Sequence, residues 1–168
     1  MTESSYHKRI IDFLCRFGEE KPNKYIKVLR GSKNPIHIVH PQAKRRKKLP
    51  LQYEPDVYFI KKNKNKIIFE VLDSELKNTS EIIADIIQCC LCGNVDLLIF
   101  IIPTDNKEEE KKIFDIYDIL ADTLVNLGVD KRMIPKDCAV YYILKNESRS
   151  YKKVKEILEE LSKTDKWG

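Results

Sequence analysis

PDVYFIKKNKNKIIFEVL, residues 55–72, decides how this chain is read. Two runs rich in β-branched and aromatic residues, Asp56–Lys61 and Lys66–Leu72, flank the polar turn Lys62–Asn65. The stretch therefore reads as two antiparallel strands, and Pro55 is tolerated ahead of the first. With the hairpin centred on Asn63, residues whose numbers sum to 126 face each other, so Asp56 stands opposite Glu70. Directly opposed residues share a face, with Cβ atoms ~5 Å apart. Two like charges there cost stability unless something compensates, and a divalent cation with oxygen ligands does so. The plainer reading is two strand-edge carboxylates facing solvent or pairing with nearby lysines. A register slip of one residue would put them on opposite faces.

Working outward, Tyr6, Ile10, Phe13, Leu14 and Phe17 recur at helical spacing, which predicts a helix over Ser4–Phe17 stopped at Gly18. Lys24–Arg30 alternates as a strand, with Ile36–Val39 expected to return as its hairpin partner. Asn78 and Glu81 resemble a capping box for a helix running to Cys92 and stopped by Gly93. Ile82, Ile83, Ile86, Ile87, Cys90 and Leu91 are its expected core stripe, with Glu81, Asp85, Gln88 and Cys92 opposite. Val95–Ile102 is almost uninterrupted apolar, the pattern of a strand buried on both faces. A helix over Lys107–Leu127, a strand over Ala139–Leu144 and a helix over Tyr151–Leu161 complete the chain. The strand–helix–strand crossover from Lys66–Leu72 to Val95–Ile102 should be parallel. These elements make one α/β domain over residues 1–168, with a mixed central sheet flanked by helices. Its core spans about residues 4–102, and a helix–strand–helix extension follows over 103–168.

The net charge of +5 hides an asymmetry. Residues 24–66 hold thirteen Lys/Arg against Glu54 and Asp56, a balance of +11, so the rest sums to −6. KRRKK at Lys44–Lys48 is its densest part. Such a block points to a polyanionic partner, against the alternative of a solvated lysine-rich surface. Arg45 and Arg46 can bridge phosphate oxygens, while Lys44, Lys47 and Lys48 act as point charges. No run approaches the ~18–20 apolar residues that span a bilayer. The N-terminal apolar positions are interrupted by Asp12, Cys15 and Arg16, unlike a signal peptide. The expected setting is intracellular, cytoplasmic and without a membrane, and the five cysteines read as reduced thiols.

Pro55-Asp56, a strand, and then Ile67-Ile68-Phe69-Glu70-Val71 resemble the PD-(D/E)xK nuclease superfamily. The likeness extends through the element order to Ile102. It implies a restriction-endonuclease-like αβββαβ core and a metal-dependent DNA endonuclease. Asp56 and Glu70, helped by the backbone carbonyl of Val71, would then hold Mg²⁺ or Mn²⁺. It also makes a homodimer one expected arrangement, since a two-strand cut needs two sites. The family's lysine belongs two residues after the glutamate, where this chain has Leu72. A lysine could reach in from elsewhere: Lys77 first, Lys66 or Lys24 more weakly. Glu75-Leu76-Lys77 has the ExK spacing but lies past the apolar strand. The other outcome is a catalytically inactive nuclease-like domain that binds DNA or serves assembly, and an unrelated α/β protein with a lysine-rich surface is a third reading. For an acidic residue on the first helix, Glu3, Asp12 and Glu19 are available, and Gln88 is the polar candidate on the helix that follows the motif.

Other signals carry less. Cys89, Cys90 and Cys92 do not converge on a helix and lack CxxC partners, so buried free thiols are expected rather than zinc. His37 and His40 point to opposite sides of a strand. The glycine-rich phosphate-loop and nucleophile-elbow motifs are absent.

Overall fold

In a computed structural model the described residues are 5–22, 24–38, 51–72, 79–145 and 147–163. They form, in chain order, α1 (Ser5–Glu19), β1 (Tyr25–Arg30), β2 (Ile36–Ile38), β3 (Leu51–Tyr53), β4 (Val57–Lys61), β5 (Lys66–Val71) and α2 (Ser80–Cys92). Then come β6 (Val95–Ile102), α3 (Lys107–Asn126), a single 3₁₀ turn (Lys131–Met133), β7 (Asp137–Tyr142) and α4 (Ser148–Lys163).

The β4–β5 hairpin has the register its sequence implies: Val57 pairs with Phe69, Tyr58 with Ile68, Phe59 with Ile67 and Ile60 with Lys66. Its turn is set by Lys64, at φ 69°, and by Asn63, whose side-chain oxygen accepts from the Asn65 amide at 2.9 Å. β5 then pairs in parallel with β6, and β6 with β7, giving a five-stranded mixed sheet in the order β1-β4-β5-β6-β7. All eight residues of β6 are buried, because helices cover both faces of the sheet. On one face α1 and α4 pack through Ile10, Leu14, Phe17, Val154 and Leu158 against Val57, Phe59, Ile67, Phe69 and Ile99. On the other, α2 and α3 pack through Ile82, Ile86 and Ile113 against Tyr58, Ile68, Leu98 and Phe100. The result is an α/β sandwich with a separate core on each side of the sheet.

Several expectations change. Ile36–Val39 is not the hairpin partner of β1. β1 pairs antiparallel with β4, Arg30 facing Val57, whereas β2 pairs with β3 in a separate two-stranded ribbon. The reason lies at Gly31. A Cβ there would fall 1.9 Å from the Pro55 carbonyl oxygen, so the chain leaving β1 is pressed against the segment entering β4 and turns away. Gly18 does not end α1 but lies inside it. A Cβ on Gly18 would come within 2.7 Å of the Phe59 ring and of Val28, so the glycine serves close helix–sheet packing. The core stripe of α2 is rotated from the expected one. Ile82, Asp85, Ile86, Cys89 and Cys90 are buried, while Ile83 is 37% and Leu91 42% exposed. Asn78 lies outside the described residues; Thr79 precedes the helix and makes no side-chain cap bond. No helix of the described residues is long and apolar enough to cross a membrane.

Candidate functional site

β4 runs antiparallel to β5, so the start of β4 and the end of β5 lie at one edge of the sheet. The carboxyl ends of the parallel strands β6 and β7 share that edge. Asp56 immediately precedes β4, and Glu70 is the penultimate residue of β5. Extending the ladder by one pair sets them opposite each other; Glu70 lies on the face covered by α2, while Asp56, at the very start of its strand, reaches His7 of α1. The contact of Gly31 with Pro55 fixes the backbone one residue before Asp56.

Asp56 is held on both oxygens. Its Oδ2 accepts the Val71 amide at 2.6 Å, and its Oδ1 lies 3.0 Å from Nε2 of His7 on α1. Glu70 sits deeper. Its Oε1 accepts the Tyr53 hydroxyl at 2.9 Å, and the same hydroxyl lies 3.5 Å from the Cys89 thiol. From α2, Asp85 comes close enough to Glu70 for the two carboxyl groups to affect each other's ionisation. Asp85 is 8% exposed, and its Oδ2 has no hydrogen-bond partner among the described residues.

At this end of the sheet Asp56 and Asp85 both act on Glu70. Burial first, then the negative charges of Asp85 and Asp56, hold Glu70 well above the ordinary carboxylate range; the Tyr53 bond acts against this. Burial, with Glu81 and Asp56, pushes Asp85 up to about 8. At neutral pH the Glu70–Asp85 pair therefore retains a proton. Burial also raises the Tyr53 hydroxyl and the Cys89 thiol, so both stay neutral donors. Among the described residues no lysine or arginine pairs with Asp56, Glu70 or Asp85. Nor are any three His, Cys, Asp or Glu side chains among the described residues grouped so that they could hold a metal ion together.

Of the residues singled out in the sequence, Asp56 and Glu70 are brought together, and Val71 joins them through its amide. Leu72 is 4% exposed, in the apolar cluster that includes Ile38, Tyr53, Ile82 and Ile86. Lys77 and the run Lys44–Lys48 lie outside the described residues, as do Glu3 and His40. Lys66 is not available to the site, because it sits at the opposite end of β5 and its Nζ donates to the Gly93 carbonyl at 3.2 Å. Lys24 also lies at that far end, next to Tyr25, which pairs with Lys61. Asp12 pairs with Arg30 at 2.6 Å instead of turning to the site, Glu19 is exposed, and Gln88 is half-buried. Cys15, Cys89, Cys90 and Cys138 are buried free thiols, and Cys92 is half-buried.

His7, Tyr53 and Asp85 were not among the expected site residues. His7 carries a signal, because it shares the apolar stripe of Ile11 and Leu14 on α1, whereas Asp85 falls opposite the stripe expected for α2. A titratable residue on an apolar stripe is turned toward the interior and needs a partner there. Comparison of the chain with protein-family models, curated proteins and solved structures gives no match.

Proposed function

We propose that this protein is a metal-dependent DNA endonuclease of restriction-endonuclease-like, PD-(D/E)xK type. The observation that carries the reading is the meeting of Asp56 and Glu70 at one sheet edge with no lysine or arginine among the described residues beside them. The raised Glu70 marks a surplus of negative charge, which fits a divalent cation. Mg²⁺ or Mn²⁺ there would supply a water of lowered pKa and charge stabilisation at the scissile phosphate. The chain's own part is orientation. Val71 N–H and His7 fix the Asp56 carboxylate, and Tyr53 fixes that of Glu70. The basic run Lys44–Lys48 belongs to the connection between β2 and β3, and β3 carries Tyr53 directly to Glu70. Phosphate contacts in that connection would therefore bring a DNA backbone toward the carboxylates. Lys77, just ahead of α2, remains the proposed source of the missing motif cation, and cutting both strands would require a homodimer.

The test is plasmid nicking with Mg²⁺ or Mn²⁺. The wild type should nick, and Asp56→Ala should lose at least ~10²-fold. One observation favours a second reading, a nuclease-like domain that binds DNA without cutting it: Leu72 walls the site with apolar surface. A wild type that cuts nothing with any divalent metal, while Leu72→Lys cuts, would establish that reading instead.

A further inference from the structure

Asp56 and Glu70 are the carboxylates that the hairpin register points to, but their oxygens are unequally engaged. Both oxygens of Asp56 already face a donor, Val71 N–H at 2.6 Å and His7 Nε2 at 3.0 Å. The Glu70 carboxylate receives the Tyr53 hydroxyl, is also favoured by the Asp56 backbone amide, and has the like-charged Asp85 as its neighbour. Asp85 is in the opposite condition to Asp56. It is 8% exposed, and its Oδ2 has no hydrogen-bond partner among the described residues.

A buried carboxylate oxygen without a donor is costly, and more so when the group is charged. Such atoms call for an explanation. Asp85 lies on the buried face of α2 with Ile82, Ile86, Cys89 and Cys90, while Ile83 is 37% and Leu91 42% exposed, so the packing of this face carries a carboxylate inward toward Glu70.

We infer that the cation seat is the Glu70–Asp85 pair, with the free Oδ2 of Asp85 as a metal ligand and Asp56 as the outer, pre-oriented carboxylate. This rests on the metal-dependent reading above but re-centres it, from the β4–β5 hairpin to the β5–α2 contact. Divalent ions of the Mg²⁺ and Mn²⁺ class take such oxygen pairs and complete their shell with water. Tyr53 orients Glu70 for this role.

The test is Mn²⁺ binding to the full chain without nucleic acid, read from the free-ion electron paramagnetic resonance signal. Asp85→Asn should weaken binding at least tenfold, since loss even of an outer-shell partner costs 10–100-fold. Asp56→Asn should weaken it less. Wild-type affinity in Asp85→Asn, or a larger loss in Asp56→Asn, overturns the assignment. Far-UV circular dichroism checks the fold of each variant. Should Asp85→Asn not fold, the wild type decides alone: Mn²⁺ should raise its urea midpoint, and an unmoved midpoint overturns the seat. The seat and the nuclease reading fail separately. Mn²⁺ bound through Asp85 with no cleavage of DNA removes the nuclease and supports the seat. Full cleavage in Asp85→Asn removes the seat and leaves the nuclease.

Discussion

Asp85→Asn should make the protein more stable near pH 8 and change it little near pH 4. Asp85 titrates at about 8 in the fold against 3.8 for the free side chain. Between those values the folded protein keeps a proton that the unfolded chain has released. Stability therefore falls as pH rises through this window, and above about 8 both states are ionised and the loss is complete. Each pH unit is 1.36 kcal/mol, so a four-unit window bounds the cost at about 5–6 kcal/mol. Because Glu70 shares the proton, the part removed with Asp85 is on the order of 2–4 kcal/mol. Asparagine keeps the shape and removes the ionisation, so the gap between variant and wild type should open steadily from pH 4 to pH 8. The carboxylates held below their usual range by cations work in the other direction. Asp12 is lowered by the Arg30 bond, and Asp96 by Lys61 and Lys136 despite its burial. Their contribution is lost as pH falls below about 4, and it cancels between the two proteins. Urea denaturation in a chelating buffer, repeated from pH 4 to 8.5, measures the gap. Parallel curves for the two proteins would refute the argument, because they would mean that Asp85 is ionised in the fold as in the unfolded chain.

Three further outcomes follow from the same geometry. Gly31→Ala should displace Pro55, since the added Cβ falls 1.9 Å from its carbonyl oxygen. We expect a loss of at least ~2 kcal/mol in urea and weaker Mn²⁺ binding, because Asp56 is the next residue; an unchanged midpoint would mean that the β1 exit is free to move. Tyr53→Phe leaves Glu70 Oε1 without its donor, and should cost about 1–3 kcal/mol at pH 8 while raising Glu70 further. A pH–stability curve identical to wild type counts against that bond. If six phosphates are contacted, DNA affinity should fall with salt at a log–log slope of about −5. Neutralising Lys44, Arg45, Arg46, Lys47 and Lys48 should flatten that slope in a filter-binding titration; an unchanged slope places the binding surface elsewhere.

The β4–β5 hairpin and the buried strand β6 could be read from the chain because their patterns admit few alternatives. Two apolar runs around one polar turn leave a single in-phase register, and eight residues apolar but for Asp96 between helices fit a strand covered on both faces. The partner of β1 could not be read. Its choice of β4 over the nearby β2 is decided by the Gly31–Pro55 approach, a contact between residues 24 positions apart. The rotation of α2 was equally hidden. Ile82, Ile83, Ile86, Ile87, Cys89, Cys90 and Leu91 surround most of its circumference, so hydrophobicity selects no clear face.

The buried face of α2 carries one polar residue, Asp85, beside the polar demand that Glu70 makes, and that demand accounts for the rest of the site. Glu70 is fixed on the α2 side by the strand period, beneath a helix whose packing face would otherwise be wholly apolar. A carboxylate there needs donors or a cation. Tyr53 meets part of the need, and its own hydroxyl is buried between Glu70 and Cys89. A lysine at position 72 would share the face of Glu70 and could meet the remainder, but Leu72 leaves it open. Asp85, if it served only packing, would be the worst residue to set against that opening, because it adds a charge of the same sign. As an oxygen ligand it is a fitting one. The absence of a cation at Leu72 and the presence of an extra carboxylate at Asp85 therefore belong together: both leave the Glu70 side of the site negative and in need of an ion from solution.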